Sequence, residues 1–201
     1  MTDAFEEKSK EWDVNSLIQQ LSTNVGKAIL SSTSLNLQQN IMDFGAGTGL
    51  IAGQIASRVH SVTAVDVSES MLEQLSKKSE LIGKVYPVCH NILETPLGQT
   101  FDGIVSAMAL HHVEDTAMCC VRFAEHLHPG GFLALADLDM EDGTFHSADI
   151  TGVFHYGFSR KELKKQLERA GFENIVFQTA HTVEKQEKRY PIFLVTAELA
   201  S

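Results

Sequence analysis

Residues 41–49 read Ile-Met-Asp-Phe-Gly-Ala-Gly-Thr-Gly, an apolar run of strand length broken by three glycines at alternate positions. No other stretch constrains the fold so tightly. Leu50, Ile51, Ile55 and Ala56 follow at the spacing of a helix inner face. The glycines therefore stand between a strand and a helix, where they let the backbone turn sharply and a ligand approach where a Cβ would block it. The amides at the helix start are expected to hold ligand oxygens. Val62-Thr63-Ala64-Val65-Asp66 then supplies a second short strand ending in an acid. A carboxylate at the tip of the neighbouring parallel strand accepts hydrogen bonds from ribose hydroxyls. Turn and acid together point to a nucleoside-containing cofactor.

The nicotinamide fingerprint is G-x-G-x-x-G, whose third glycine packs the helix beside a pyrophosphate. From Gly45 this chain reads G-x-G-x-G, with Leu50 where that glycine belongs. Asp43, just ahead of the loop, would repel a pyrophosphate and attract a cationic group. The run Asp43-Phe44-Gly45-Ala46-Gly47-Thr48-Gly49 resembles the first motif of class I S-adenosylmethionine-dependent methyltransferases. Val65-Asp66-Val67-Ser68-Glu69-Ser70-Met71-Leu72 is similar to the family's second segment, in which the acid holds the ribose. The resemblance continues in order through Phe101-Asp102-Gly103-Ile104-Val105-Ser106, His111-His112-Val113-Glu114-Asp115 and Leu127-His128-Pro129-Gly130-Gly131-Phe132-Leu133. It covers residues 40–137. It implies a Rossmann-like α/β fold: seven strands, mostly parallel, with an antiparallel last strand, helices on both faces, and methyl transfer from S-adenosylmethionine.

The resemblance also implies a set of cofactor contacts. Gly45, Ala46 and Gly47 form the loop, and Asp66 and Val67 the ribose end. Asn91 and Ile92 stand in Val88-Cys89-His90-Asn91-Ile92, with Asn91 where the family often has an aspartate for the adenine amino group. An asparagine still accepts that bond through its amide oxygen. Asp43 either touches the ligand or orders the loop through backbone amides. Met71 either packs under the adenine or belongs to the core. Ala107, with Met108 and Ala109, either lines a methyl-transfer channel or starts a helix. Trp12, the only tryptophan, either folds over the cofactor, as such segments do in similar methyltransferases, or forms a hydrophobic staple.

Elsewhere the pattern is that of alternating strands and helices. Val14, Leu17, Ile18, Leu21, Val25, Ala28 and Ile29 predict an amphipathic helix before the first strand. A helix follows Asp66, with Ser70 and Glu73 as a capping box and Leu72, Leu75 and Ile82 facing inward. Strands are expected over 85–88, 103–106 and 132–136. Between the last two, Ala117, Val121, Ala124 and Leu127 mark a helix stopped at Pro129-Gly130-Gly131. Ser159 and Glu162 form a second capping box, with Phe158 and Leu163 at the staple positions and Gly171 at the stop. Residues 172–180 and 192–197 read as a closing antiparallel pair. In such a sheet Gly45, Asp66, Asn91 and Ser106 converge at the strands' carboxyl ends.

A chain of 201 residues suits one domain, here 1–201, with 1–35 as an N-terminal helical cap and 139–158 as an acceptor-side segment. The formal charge of −10 argues against nucleic acid as partner. No stretch is apolar enough to span a bilayer, and Thr2-Asp3-Ala4-Phe5-Glu6-Glu7-Lys8 lacks the regions of a signal peptide. Three cysteines without metal spacing fit a reducing compartment; Cys89, Cys119 and Cys120 read as packing residues. The expected protein is cytoplasmic, a monomer or homodimer, acting on a small-molecule methyl acceptor. The alternatives are a nicotinamide (NAD or NADP) oxidoreductase and a non-catalytic S-adenosylmethionine-binding regulatory module.

If the acceptor is a hydroxyl or a protonated amine, a base must take its proton, and His111 is the first candidate. His155 is a second, from a segment, 143–158, that also carries Phe145, His146, Phe154 and Tyr156. Paired with His111, His146 and His155 could bind a metal or act on the acceptor, but each one singly reads better as a hydrogen-bonded or exposed side chain. No metal site is expected.

Overall fold

Alternation along the strands divides the core in two. In β1 (Asn40–Phe44), Ile41 belongs to one apolar cluster and Met42 to the other. Val105 and Ile104 of β4 (Phe101–Ala107) alternate likewise, as do Ala134 and Leu133 of β5 (Leu127–Leu138). Strands covered on both faces need helices on both. The computed structural model describes residues 3, 5–146 and 152–201. Residues 1, 2 and 4 of the expected cap and 147–151 of the expected acceptor-side segment lie outside the described residues.

With β2 (Ser61–Asp66), β3 (Val85–Cys89), β6 (Phe172–Lys185) and β7 (Lys188–Leu199), the sheet has seven strands in the order β3-β2-β1-β4-β5-β7-β6. The last strand, β7, runs antiparallel to both neighbours, and the other paired strands are parallel. After one turn of helix, α1 (Glu6–Ser9), come α2 (Ser16–Ser32), α3 (Leu50–Ile55) and α4 (Glu69–Ser76), which cover one face. Helices α5 (Thr116–Glu125) and α6 (Arg160–Arg169) cover the other. The chain reverses direction across the sheet between β1 and β4, and this opens a crevice at their carboxyl ends.

Several local expectations are corrected. Helix α2 starts at Ser16, because the Asn15 side chain caps the amides of Leu17 and Ile18, and this leaves Val14 exposed outside the helix. Ser68, not Ser70, caps α4 by accepting from the Met71 amide, and Ile82 is exposed beyond the helix. In α5 the buried stripe is Thr116, Cys119, Cys120 and Phe123, whereas Val121 faces out. The helix phase follows Phe123, the larger apolar group. Cys89 is exposed. Leu127 opens β5 instead of closing α5. Ser159 caps α6 as expected, but Glu162 turns to Lys165 and completes only half a capping box. Strands β6 and β7 run longer than their apolar cores because Gln186 and Glu187, both at positive φ (51° and 62°), make a two-residue hairpin turn.

Candidate functional site

At the end of β1 the three glycines do different work. A Cβ on Gly45 would stand 2.3 Å from that of Ala109, and one on Gly49 would stand 2.7 Å from Leu75 Cδ1, so both allow close packing. Gly47 has φ +53° and nothing within 4 Å of where a Cβ would point. It borders a cavity of about 980 Å³ that also reaches Asp66, Asn91, Trp12, His111 and Lys185.

Four of the loop amides are already bonded within the protein. The Gly45 and Ala46 amides donate to the Val65 carbonyl (2.9 and 3.1 Å), and that of Gly49 donates to Ala46 (2.8 Å). The Gly47 amide donates to Asp66 Oδ2 at 2.7 Å. Asp66 also takes the Ser68 amide on Oδ1 at 2.8 Å, and burial pushes its carboxyl up against the pull of these bonds. Each oxygen keeps a lone pair for a further donor. Asp43 is buried, and Oδ2 accepts from Ala52 in the first turn of α3 at 3.0 Å. Burial, with Asp66 nearby, pushes it up to about 8. It orders the loop and also borders the cavity.

Of the residues proposed from sequence, Asp43, Gly45, Ala46, Gly47, Asp66, Val67, Met71, Asn91, Ala107, Trp12 and His111 all line this one cavity. Asn91 Oδ1 accepts from the Leu93 amide at 3.1 Å. Ile92 does not join them: it is fully buried in the core on the α5 side. Ser106 is also elsewhere, its hydroxyl donating to the Phe44 carbonyl within the sheet. After Ala107, Met108 takes φ +57° and borders the cavity.

The N-terminal segment lies over the loop. Asp13 accepts from Thr48 Oγ1 and pairs with Lys78 Nζ, both at 2.5 Å. Asp3 accepts from Ser68 Oγ and the Ser70 amide. Phe5 stands edge-on to Trp12 and to His112, and all three border the cavity. Asp13 carries no sequence signal, since its partners are 35 and 65 positions away.

At the far end is a histidine cluster. His111 is buried, its Nδ1 2.8 Å from Asp137 Oδ1 while its amide donates to Asp137 Oδ2. With the proton on Nδ1 facing a carboxylate, Nε2 is left as an acceptor, and it has no partner. Asp137, fully buried at the end of β5, was not singled out in the sequence; it reads there as one more residue of an apolar strand. The rings of His112 and His146 lie 4.2 and 4.9 Å from that of His111. Burial, then the neighbouring histidines, push both down to about 4, so they are neutral at physiological pH.

His155 stands apart. Its Nε2 donates to the carbonyls of Val113 and Glu114 at 2.9 and 3.2 Å, and it is not a cavity residue. Phe154 and Tyr156 are exposed and do not form the expected walls. Of that segment's named residues, Phe145 and His146 border the cavity. Its two ends are held together by the bidentate Arg160–Asp139 pair, at 2.7 Å for each bond. Lys185, at the end of β6, completes the wall. Among the described residues, no group of three or more histidine, cysteine or acidic side chains is placed to hold a metal.

Comparison with known proteins agrees with this geometry. Residues 41–131 match the family model described as a methyltransferase domain. The chain is 30% identical over 185 residues to O-methyltransferase resE of Aspergillus sclerotiorum, covering 86% of this chain and 68% of that protein. It is 29% identical to O-methyltransferase rstn1 of Aspergillus nomiae, covering 86% and 80%. Among solved structures, the N-methyltransferase NodS of Bradyrhizobium japonicum with S-adenosylhomocysteine superposes with a TM-score of 0.74 at 15% identity, covering all of both chains. Phosphoethanolamine N-methyltransferase 2 of Haemonchus contortus with S-adenosylmethionine gives 0.71 at 18%, covering 89% of this chain and 53% of that one. These likenesses show the fold. With the sequence relatives and the family model, they establish that this chain belongs to the class I S-adenosylmethionine-dependent methyltransferases.

Proposed function

We propose that the chain methylates a hydroxyl oxygen of a small molecule, with His111 as the general base. The observation that carries this reading is the His111–Asp137 dyad, whose unpartnered Nε2 is buried at the wall of the cavity that begins at Gly47. An oxygen acceptor needs its proton removed, whereas a thiolate or neutral amine does not. The names of the two Aspergillus relatives favour oxygen as well.

The residues fit S-adenosylmethionine on their own chemistry. The G-x-G-x-G spacing, with Leu50 where the nicotinamide fingerprint has its third glycine, counts against the nicotinamide reading. Asp66 has lone pairs for two ribose hydroxyls, and Gly47 leaves its side of the loop bare for close approach. Asn91 Oδ1 suits the adenine amino group, and Val67 and Met71 supply apolar surface beside it. A cationic ligand beside Asp43 would favour the ionised form that burial otherwise opposes. When bound, S-adenosylmethionine supplies a methyl carbon that its sulfonium has already activated for in-line displacement.

The protein's remaining tasks are alignment, exclusion of water and removal of one proton. Trp12 and Phe5 cover the cavity, and Ala107 leaves room beside the glycine loop. His111 Nε2 takes the hydroxyl proton, and Asp137 stabilises the imidazolium that forms. His155 positions the 152–158 segment and takes no part in proton transfer. In this reading 1–201 acts as one domain, with 1–35 as the cap and 139–158 on the acceptor side. Trideuteriomethyl-labelled S-adenosylmethionine, offered with phenols, aliphatic alcohols and amines, tests it by mass spectrometry. Label on oxygen is expected; label on nitrogen, sulfur or carbon overturns it.

A further inference from the structure

The cavity is electrically divided. Its only carboxylates among the described residues, Asp43 and Asp66, stand at the glycine-loop end. The opposite end has Lys8, Lys185 and the imidazoles of His111, His112 and His146, with no acid lining it. Asp137, fully buried behind His111, is the carboxylate at that end; it raises the His112 and His146 imidazoles, and Lys8 beside His112 and Lys185 beside His146 oppose it. This arrangement occurs in a chain whose formal charge is −10.

Lys185 differs from the basic residues around it. In the same hairpin, Lys188 pairs with Asp142 and Arg189 with Glu184. Lys185 has no carboxylate within ion-pair distance among the described residues. Its Nζ donates to the Phe145 carbonyl at 2.7 Å and lies 5.8 Å from the centre of that ring. One N–H is thus used to fix the head at the cavity wall, and two donors remain. A lysine on open surface is a solvated point charge. Held by a carbonyl and an aromatic face beside a half-enclosed cavity, the same charge acts at lower effective dielectric.

We infer that the methyl acceptor carries an anionic group, a carboxylate or a phosphate, separate from the reacting hydroxyl and bound by Lys185 with support from Lys8. This rests on the reading of the cavity as an acceptor site beside bound S-adenosylmethionine. An ammonium-bearing acceptor meets two lysines there and is repelled.

The test uses the S-adenosylhomocysteine-loaded protein and matched probes: para-hydroxybenzoate against para-hydroxybenzamide, and glycolate against glycolamide. The phosphate monoester of hydroquinone is a separate arm that tells phosphate from carboxylate. Calorimetry reads binding, and S-adenosylhomocysteine release reads turnover when S-adenosylmethionine is supplied. Anions should bind better than their amides by about tenfold or more, as one charge-assisted hydrogen bond gives. Lys185→Gln should bring the ratio close to one, and Lys185→Glu should invert it, with S-adenosylhomocysteine affinity unchanged in both. Equal binding of acids and amides, a ratio that survives Lys185→Gln, or no anion binding at all overturns the proposal alone. Failure of the wild-type protein to bind S-adenosylhomocysteine overturns the underlying reading and the proposal with it.

Discussion

Replacing Asp66 by alanine removes a carboxylate that fastens two amides, those of Gly47 and Ser68, at 2.7 and 2.8 Å. On the proposed reading it also removes the acceptor for two ribose hydroxyls. A hydrogen bond to a charged group contributes about 1.5 kcal/mol at the low end, so two amount to about 3 kcal/mol, roughly a hundredfold in dissociation constant. The cost to folding should be much smaller. Burial pushes this carboxyl up, so its ionised form is already disfavoured in the folded protein, and the freed amides open onto a solvated cavity. Asp66→Asn keeps one acceptor oxygen and should fall between, at about tenfold. Calorimetry with S-adenosylhomocysteine measures the affinities, and thermal melting confirms that both variants fold. A folded Asp66→Ala protein with wild-type affinity would refute the ribose assignment and the argument from strand-end geometry.

Three further outcomes follow from the same geometry. Nitrogen-15 NMR should show His111 protonated on Nδ1 and bare on Nε2; Asp137→Asn should abolish that preference and lower kcat roughly a hundredfold, as loss of a positioned base does, and an unchanged tautomer would remove Asp137 from its role. Asp43, raised from 3.8 to about 8, keeps its proton in the folded state over a range where the unfolded chain has lost it. Stability should therefore decline as pH rises from about 4 to about 8, by on the order of 5 kcal/mol at most; Asp43→Asn should flatten that slope in urea titrations, and an identical slope would contradict the burial argument. Asp13→Ala releases Thr48 and Lys78 and should speed S-adenosylhomocysteine dissociation about tenfold, as loss of one or two polar contacts does. Trp12 fluorescence follows this directly, and an unaltered off-rate would mean that the segment does not retain the ligand.

The glycine-loop end of the cavity was legible in the sequence because its parts are local. The strand, the glycines and the next helix lie within about sixteen residues, and Asp66 ends the neighbouring parallel strand. The histidine end was only half legible. His111 could be suspected, but Asp137, which orients it, sits 26 positions on inside an apolar strand. Lys185 and Asp13 owe their places wholly to tertiary contacts. His155, Phe154 and Tyr156 mislead for the opposite reason: their composition resembles a pocket wall, but hydrogen bonds to Val113, Glu114 and His111 turn the segment so that these side chains miss the cavity. The shift of phase in α5 has the same origin, since the buried stripe is chosen by what Phe123 packs against.

One comparison bears on the whole account: S-adenosylhomocysteine affinity and methyl-transfer rate measured side by side in His111→Ala, using an acceptor turned over by the wild-type protein. The two ends of the cavity are assigned different work, so the variant should bind S-adenosylhomocysteine as the wild type does and lose about a hundredfold or more in kcat, the loss expected for a general base. Wild-type turnover in His111→Ala, or a loss of S-adenosylhomocysteine affinity that accounts for the lost rate, would contradict it.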